Sequence, residues 1–446
     1  MIGPHATSAN MKPLRKGWEW VPLGKYVENH DGRRIPISKK ERESRSGSFP
    51  YYGASGVIDT IDGFTHDGEF LLIGEDGANL LTRSKPLAFL TRGKVWVNNH
   101  AHVLRCKTGY PNAYLAYFIN SIDLSQYVTG TAQPKLSQSM MNKILIPVAP
   151  PDQQVEIVAE LEKQFSRLDK AVANLQRVKA NLKRYKASVL KDAVEGRLVP
   201  TEAELARHEG RSFENGAQLL QRFLEARRSQ WKGKGRYKEA AAPVLANLPT
   251  LPEGWTWATM PQLGELNRGK SKHRPRDDAA LYGGPHPFIQ TGDVRRSDGS
   301  ITEHRQTYSE LGLKQSRLWP VGTLCITIAA NIAETGILKM EACFPDSVVG
   351  FISDQGYPTT GYVEFFIRTA RDGLDRFASA TAQKNINLEV LDAVAVSTPP
   401  LAEQKRIVAE VDRRLSLIRG LESEVDMNLQ RAQALRQSIL WKAFSS

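Results

Sequence analysis

The chain is poor in cysteine, with only Cys106, Cys325 and Cys343 among 446 residues. Three scattered thiols cannot make a disulfide framework or a zinc knuckle, and they fit a reducing compartment. No run of 18 apolar residues occurs, which argues against a membrane span. The opening MIGPHATSANMKPLRKGW has no continuous apolar stretch of the kind a secretory signal carries. Together these absences predict a cytoplasmic protein with no membrane attachment. Catalytic motifs are missing too. There is no GxxxxGK[ST] loop, so nothing suggests a P-loop ATPase. GKG at 233–235 lacks a third glycine and a preceding strand. The Pro-Pro pairs in APPD and TPPL lack the aromatic and the Asn or Asp of an amino-methyltransferase motif.

What is present is a repeat. PPDQQVEIVAELEKQFSRLD begins at Pro150, and PPLAEQKRIVAEVDRRLSLI begins at Pro399. Ile157 aligns with Ile407 at an offset of 250 residues, and KASVLKDAV (186–194) then falls on RQSILWKAF (436–444) without a gap. Only the entrance departs: PPDQQVEIV reads one residue shorter than PPLAEQKRIV. KGWEW (16–20) answers EGWTW (253–257), and TAQPKL (131–136) answers TAQKNI (381–386). A repeat of this length governs the fold and is read before anything local.

The repeated segments carry a coiled-coil stripe. Val158, Leu161, Phe165, Leu168, Val172 and Leu175 step by three and four, and Leu182 and Val189 continue the pattern. The second copy gives Val408, Val411, Leu415, Ile418, Val425, Leu429, Ala432 and Ile439. Val178 and Tyr185 fall one position off. Stripes this long need a partner, and each copy supplies the other's. A pseudo-twofold relation between the halves requires the two helices to be antiparallel. The intervening parts read as β-rich: KVWVNNHAHVLR (94–105) alternates as a half-buried strand would. AYLAYFINSI (113–122) and GYVEFFIRTARDGL (361–374) have helical spacing. The expected fold is α+β: two β-rich, mixed α/β domains joined by two long antiparallel coiled-coil helices. The expected divisions are 1–150, a helix at 151–196, a linker with one short helix at 197–252, a second domain at 253–400, and a helix at 401–446.

A net charge of +12 and a pI near 9.5 favour a polyanionic partner. About eleven residues after each Gly-Trp-x-Trp comes a cationic stretch. The first, NHDGRRIPISKKERESR (29–45), offers Arg33, Arg34, Lys39 and Lys40. The second, NRGKSKHRPR (267–276), offers Arg268, Lys270, Lys272, Arg274 and Arg276 with no acidic residue among them. Their matched placement suits phosphate contacts, against the plainer reading of solvated loops. Base reading needs polar side chains on exposed loops. The candidates are Ser55, Glu75, Asp76, Asn79, Asn98, Asn99 and His100 in the first half. In the second they are Gln290, Thr291, Asp293, Arg295, Arg296 and Asn331. Each alone is more often a turn or capping residue than a base reader. His100 and His102 form an HxH pair without a third metal ligand at a plausible spacing. Trp18, Trp20, Trp255 and Trp257 read as packing residues rather than base-stacking platforms.

This order of parts resembles the specificity subunit of Type I restriction–modification systems. The resemblance rests on the paired Gly-Trp-x-Trp starts, the TAQPKLSQSMMNKILIPVAPP and TAQKNINLEVLDAVAVSTPP passages, PPLAEQKRIVAE, and the helix ends RYKASVLKDAVEGRLV and LRQSILWKAF. It implies a non-catalytic chain with no cofactor, carrying two domains that each read half of a bipartite, asymmetric site in double-stranded DNA. It implies helices that set the unread spacer. It also implies partners: two modification subunits that methylate adenine, and restriction subunits that translocate and cut DNA. A coiled-coil protein-interaction scaffold remains the alternative from another class, one that would not need paired cationic loops.

Overall fold

The computed structural model describes residues 14–445 except 131, 234, 247, 330–331, 354–358 and 380–385. Chain contacts divide it into two units. One holds the residues up to Val178 and those from Glu424 on, and the other is Lys179–Ser423. The two long helices, Pro151–Val194 and Leu401–Phe444, have 44 residues each, and each gives one segment to either unit.

In unit 1 the strands are β1 (Glu19–Pro22), β2 (Val27–Asn29), β3 (Phe49–Gly53), β4 (Gly56–Ile61), β5 (His66–Asp67), β6 (Phe70–Gly74), β7 (Ala88–Thr91), β8 (Lys94–Val97), β9 (Ala101–Cys106) and β10 (Leu145–Val148). They make a β2-β9-β6-β7 sheet, a β4-β3-β8-β5 sheet and a β1-β10 ribbon. The expected single strand at 94–105 is in fact two, β8 and β9, split by the Asn98–His100 turn. Nor are they half-buried. Val95, Trp96 and Val97 of β8 are all buried, as is most of β9, because both faces are covered: Val95 and Val97 pack with Ala101 and Val103, Trp96 with Ile37 and Ile61, and Leu104 with Leu115. The helix Asn112–Ser121 covers the first sheet with Leu115, Phe118 and Ile119, in one apolar cluster with Leu71, Ile73 and Leu104.

Unit 2 contains β11 (Thr256–Thr259), β12 (Gly264–Arg268), β13 (Tyr282–Phe288), β14 (Gly299–Ile301), β15 (Gln306–Tyr308), β16 (Leu324–Thr327), β17 (Thr335–Leu338), β18 (Val348–Ser353) and β19 (Ala395–Thr398). Its main sheet runs β12-β18-β16-β17-β14, with β13-β15 and β11-β19 as separate ribbons. The helix Thr359–Ser379 buries Tyr362, Val363 and Ile367 in the unit's main cluster with Phe351. The order β2-β9-β6-β7 recurs in unit 2 as β12-β18-β16-β17 with β14 added at the edge, so the units differ in what surrounds this sheet: a four-stranded β4-β3-β8-β5 sheet in one and a two-stranded β13-β15 ribbon in the other. The frame beneath them repeats.

That frame is visible residue by residue. β1 pairs β10 with Trp20 opposite Pro147, and β11 pairs β19 with Trp257 opposite Ser397. Trp18 Nε1 donates to Gln153 Oε1 at 3.0 Å, and Trp255 Nε1 donates to Glu403 Oε1 at 2.9 Å. Tyr114 stands edge-on to Trp18 as Tyr362 does to Trp255. The tryptophans therefore fasten each ribbon to a helix entrance. At those entrances Gln154 Nε2 donates to Ala149 O (2.9 Å) and Gln404 Nε2 to Pro399 O (2.8 Å). The Gln154 and Gln404 amides likewise donate to Pro150 O and Pro400 O. This corrects the entrance alignment. Pro150 answers Pro400, Ala149 takes the place of Pro399, and nothing is shortened.

Within unit 1, Ile157, Leu161 and Phe165 from the start of one helix pack with Ile439, Leu440 and Ala443 from the end of the other. Within unit 2, Leu182, Val189 and Ala193 share a cluster with Ile407, Val411, Leu415 and Ile418. In both units the start of one helix meets the end of the other, so the segments run antiparallel. Val178 and Tyr185, the two off-pattern residues, are exposed.

Region 197–252 holds two helices rather than the one expected, Glu202–Glu209 and Gly216–Ser229. Each starts with a capping box, Thr201 with Glu204 and Asn215 with Gln218, which satisfies otherwise orphaned helix amides. Leu219 is fully buried in the unit 2 core, and Arg227 donates to Pro261 O at 2.7 Å. Gly216 lies so close to β19 that a Cβ there would come within 2.4 Å of Thr398 O. The insert is docked on unit 2, and the basic WKGKGRYK stretch follows its second helix.

Candidate nucleic-acid interface

In unit 1 the predicted residues come from three turns at one edge of the sheets. Ser55 is in the β3–β4 turn, Asp76 follows β6, and Asn98, Asn99 and His100 form the β8–β9 turn. The Glu75 amide donates to His100 O at 2.9 Å, joining two of these turns. A Cβ at Gly74 would lie 2.6 Å from Ala54 O, so the third passes directly against them. His100 Nδ1 meets Asp76 Oδ2 at 2.7 Å on the surface, and Asn99 is exposed beside it.

Beneath this edge lies a buried polar network. His102 faces Asp31 through Nδ1 (2.7 Å) and the Leu136 carbonyl through Nε2 (2.8 Å). Both ring nitrogens are thus directed at acceptors, and none is turned to a metal with His100. Arg34 donates to Glu75 (2.6 Å) and to Ala101 O (2.9 Å), with Asp31 at 3.4 Å. Burial pushes the Asp31 and Glu75 carboxyls up. Asp31's bonds to His102 and Val103 and Glu75's to Arg34 outweigh it and hold both below the ordinary range. Arg34 is therefore a scaffold for the loops and is not free for phosphate, which corrects its expected role. Asn98 is corrected likewise: it is buried and caps its own turn by accepting from the His100 amide at 2.8 Å. Asn79 similarly accepts from the Lys85 amide. Arg33, Lys39 and Lys40 are exposed, the lysines opening the helix Lys39–Glu43. Farther along the same run, Arg42 and Arg45 pair with Asp59 and Asp62 near β4.

The sequence reading missed Lys135. In sequence TAQPKL is only a mark of the repeat, yet Lys135 Nζ lies 3.3 Å from Glu75 and the Leu136 amide donates to Glu75 O. The paired passage in unit 2 has the same neighbour, since the Ile386 amide donates to Ile328 O at 3.1 Å, just after β16. Asn331 and residues 381–385 lie outside the described residues.

In unit 2 the cationic loop leaves β12 and is held by backbone bonds: the Lys272 amide to Gln315 Oε1, and Lys270 O from Ser316 Oγ. Arg268, Lys270, Lys272, Arg274 and Arg276 are all exposed. The loop does meet an acid, from beyond its own stretch. Arg276 pairs with Asp346 at 2.9 Å, while Arg268 donates to the Asp346 carbonyl and Arg274 to Ser271 O. A second group surrounds the helix Thr291–Arg296. Gln290 Nε2 reaches Gln306 at 2.6 Å, and Arg295 approaches Glu334 at 4.0 Å. Asp293 is buried, accepts from the Gln290 amide and holds Arg296, so it caps the helix instead of facing a base. Thr291 is half-buried in the same first turn.

Each unit thus carries exposed cations on one repeated frame, and comparison with known proteins shows the family. The family described as the Type I restriction modification DNA specificity domain matches the chain twice, over residues 15–184 and 252–426. The chain belongs to this family. This specificity chain is 26% identical to a type I restriction enzyme specificity subunit of Haemophilus influenzae over 95% of each protein. It is 22% identical to the EcoDI specificity subunit of Escherichia coli, over 96% of the chain and 88% of the relative. Its fold resembles a chain from work on complex assembly and conformational transition of the type I R-M system. That match has a TM-score of 0.63 and 18% identity, and covers 98% of this chain and all of the other. The HsdS subunit from Thermoanaerobacter tengcongensis gives a TM-score of 0.50 at 17% identity, covering 97% and 98%. The specificity chain recognises a DNA target for a Type I restriction–modification system. Among its described residues no helix is long and apolar enough to cross a membrane.

Proposed function

We propose that each unit reads one half of a bipartite DNA site, and that the two long helices set the unread spacer. The carrying observation is the repeated frame. Trp18–Gln153 and Trp255–Glu403 fix two differently built sheet systems onto helices of equal length. Arg33, Lys39 and Lys40, and Arg268, Lys270, Lys272 and Arg274, contact phosphates. These contacts fix register without reading sequence. Ser55, Asp76, Asn99, His100 and Lys135 in unit 1, with Gln290, Thr291 and Arg295 in unit 2, face base edges. Arg34, Asn98, Asp293 and Arg276 shape the loops. Asn331, outside the described residues, keeps its place as a base-reading candidate.

The chain itself supplies no chemistry. It acts with two modification subunits that methylate adenine and with restriction subunits that translocate and cut. The test is a domain exchange. Residues 255–400 are replaced by the matching part of a relative, and the methylated motif is read by sequencing DNA from cells carrying the whole complex. One half of the motif should change and the other should stay. A motif altered in both halves would show that the units do not read separately.

A further inference from the structure

The repeat places two positions of the helices in both units, and the units treat them differently. In unit 1 they are Asp169 and Arg436. Arg436 Nη1 meets Asp169 Oδ1 at 2.6 Å, so the two helices close an ion pair between themselves, with the guanidinium 4.4 Å over the Phe165 ring. Advancing Asp169 by the repeat offset of 250 gives Arg419, and moving Arg436 back by it gives Lys186. Unit 2 therefore has a cation at both positions, where like charges on paired helices repel. The missing anion comes from the recognition region. Asp298 lies 3.0 Å from Lys186 and 3.7 Å from Arg419. It also binds Arg368 of the helix Thr359–Ser379 at 2.9 Å, and Arg368 reaches buried Glu364 at 3.3 Å. Asp412, earlier on the second long helix, is another acidic neighbour of Arg419. Asp298 holds φ +43°, a left-handed conformation that Asp and Asn tolerate better than other non-glycine residues. A left-handed position whose carboxylate reaches a cation on each helix is a built contact.

We propose that Asp298 is the positioning residue that keys the second recognition domain to both spacer helices, so that the spacing this subunit imposes on DNA depends on its charge. The inference rests on the helices acting as the ruler. Losing the carboxylate leaves Lys186 and Arg419 facing each other and frees the domain to shift on the helices. The half-site it reads would stay the same while spacer tolerance widened.

The test uses the full complex with its modification subunits. Substrates are duplexes carrying both half-sites at the native spacer and at one base pair more or less. Asp298→Asn keeps the left-handed turn and removes the charge. It should cut the preference for the native spacer by roughly tenfold without changing the bases read. Arg419→Asp added to Asp298→Asn recreates the unit 1 arrangement, with Lys186 opposite an acid, and should restore the preference to within about twofold. If Asp298→Asn keeps wild-type spacer preference, the key does not exist. If the double variant is no better than Asp298→Asn, the effect is not this charge. Should Asp298→Asn fail to accumulate folded, the double variant decides alone: its new helix carboxylate is offered to Arg368 of the domain as well as to Lys186, so it should fold and discriminate, and its failure overturns the proposal. A wild-type complex with no spacer preference would instead sink the ruler reading, and this inference with it.

Discussion

At the scale of single residues, the sequence marks which side chains are polar and where they cluster, and leaves open what they touch. Arg33 and Arg34 are adjacent, yet one is exposed and the other is held by Glu75, Asp31 and Ala101. Glu75 lies 41 residues from Arg34 along the chain, and Asp346 lies 70 from Arg276, so neither partner is legible locally. Lys270 and Lys272 are the cleaner case: both are exposed, and among the described residues only their backbone is tied down. Changing both to Ala in the full complex should weaken binding to cognate and unrelated duplexes alike. It should also flatten the plot of log affinity against log salt by about two units, one per lost phosphate contact. Fluorescence anisotropy across a salt series checks this. Unaltered slope in a folded variant would make the pair a solvated surface.

At the scale of elements, helices with a sustained stripe were legible, whereas strands and short capped helices were less so. Residues 94–105 alternate in type, but burial on both faces comes from layers packed on each side of the strands, which no local pattern shows. The helix Glu202–Glu209 could have been found from Thr201 and Glu204, the two ends of its capping box. The ribbon-to-helix fastenings are one motif in two environments, and this predicts unequal costs. Glu403 is fully buried and also accepts from the Glu202 amide at 2.8 Å, while the Trp18–Gln153 bond lies in an exposed setting. Trp255→Phe removes a donor from a buried carboxylate and should cost about 1–3 kcal/mol. Trp18→Phe should cost less than about 1 kcal/mol, since water replaces the lost donor. Urea unfolding of each variant against wild type gives the comparison, and equal losses would mean that burial of the partner does not matter here.

At the scale of the whole molecule, the repeat made the architecture legible because both helices keep one register over 44 residues each. The sheets between them could not be read, since strand order depends on long-range pairing: β2-β9-β6-β7 recurs as β12-β18-β16-β17, yet the β4-β3-β8-β5 sheet answers only a β13-β15 ribbon. The equal helices carry the last prediction. Seven residues inserted after Leu175 and seven after Val425 lengthen each helix by about 10 Å, at 1.5 Å per residue. A heptad returns the apolar stripe to its own face, so Leu182, Val189, Leu429 and Ala432 keep their partners. DNA rises about 3.4 Å per base pair. The unread spacer should therefore grow by roughly one to three base pairs, according to how the helices lie against the duplex, with both half-sites unchanged. Insertions of two or three residues instead turn the stripe by about 200–300°, at 100° per residue, and should abolish folding or assembly. Sequencing the methylated motif in cells carrying the heptad variant reads the result directly. Full methylation at the original spacer would mean that the distance between half-sites is set elsewhere than in these helices.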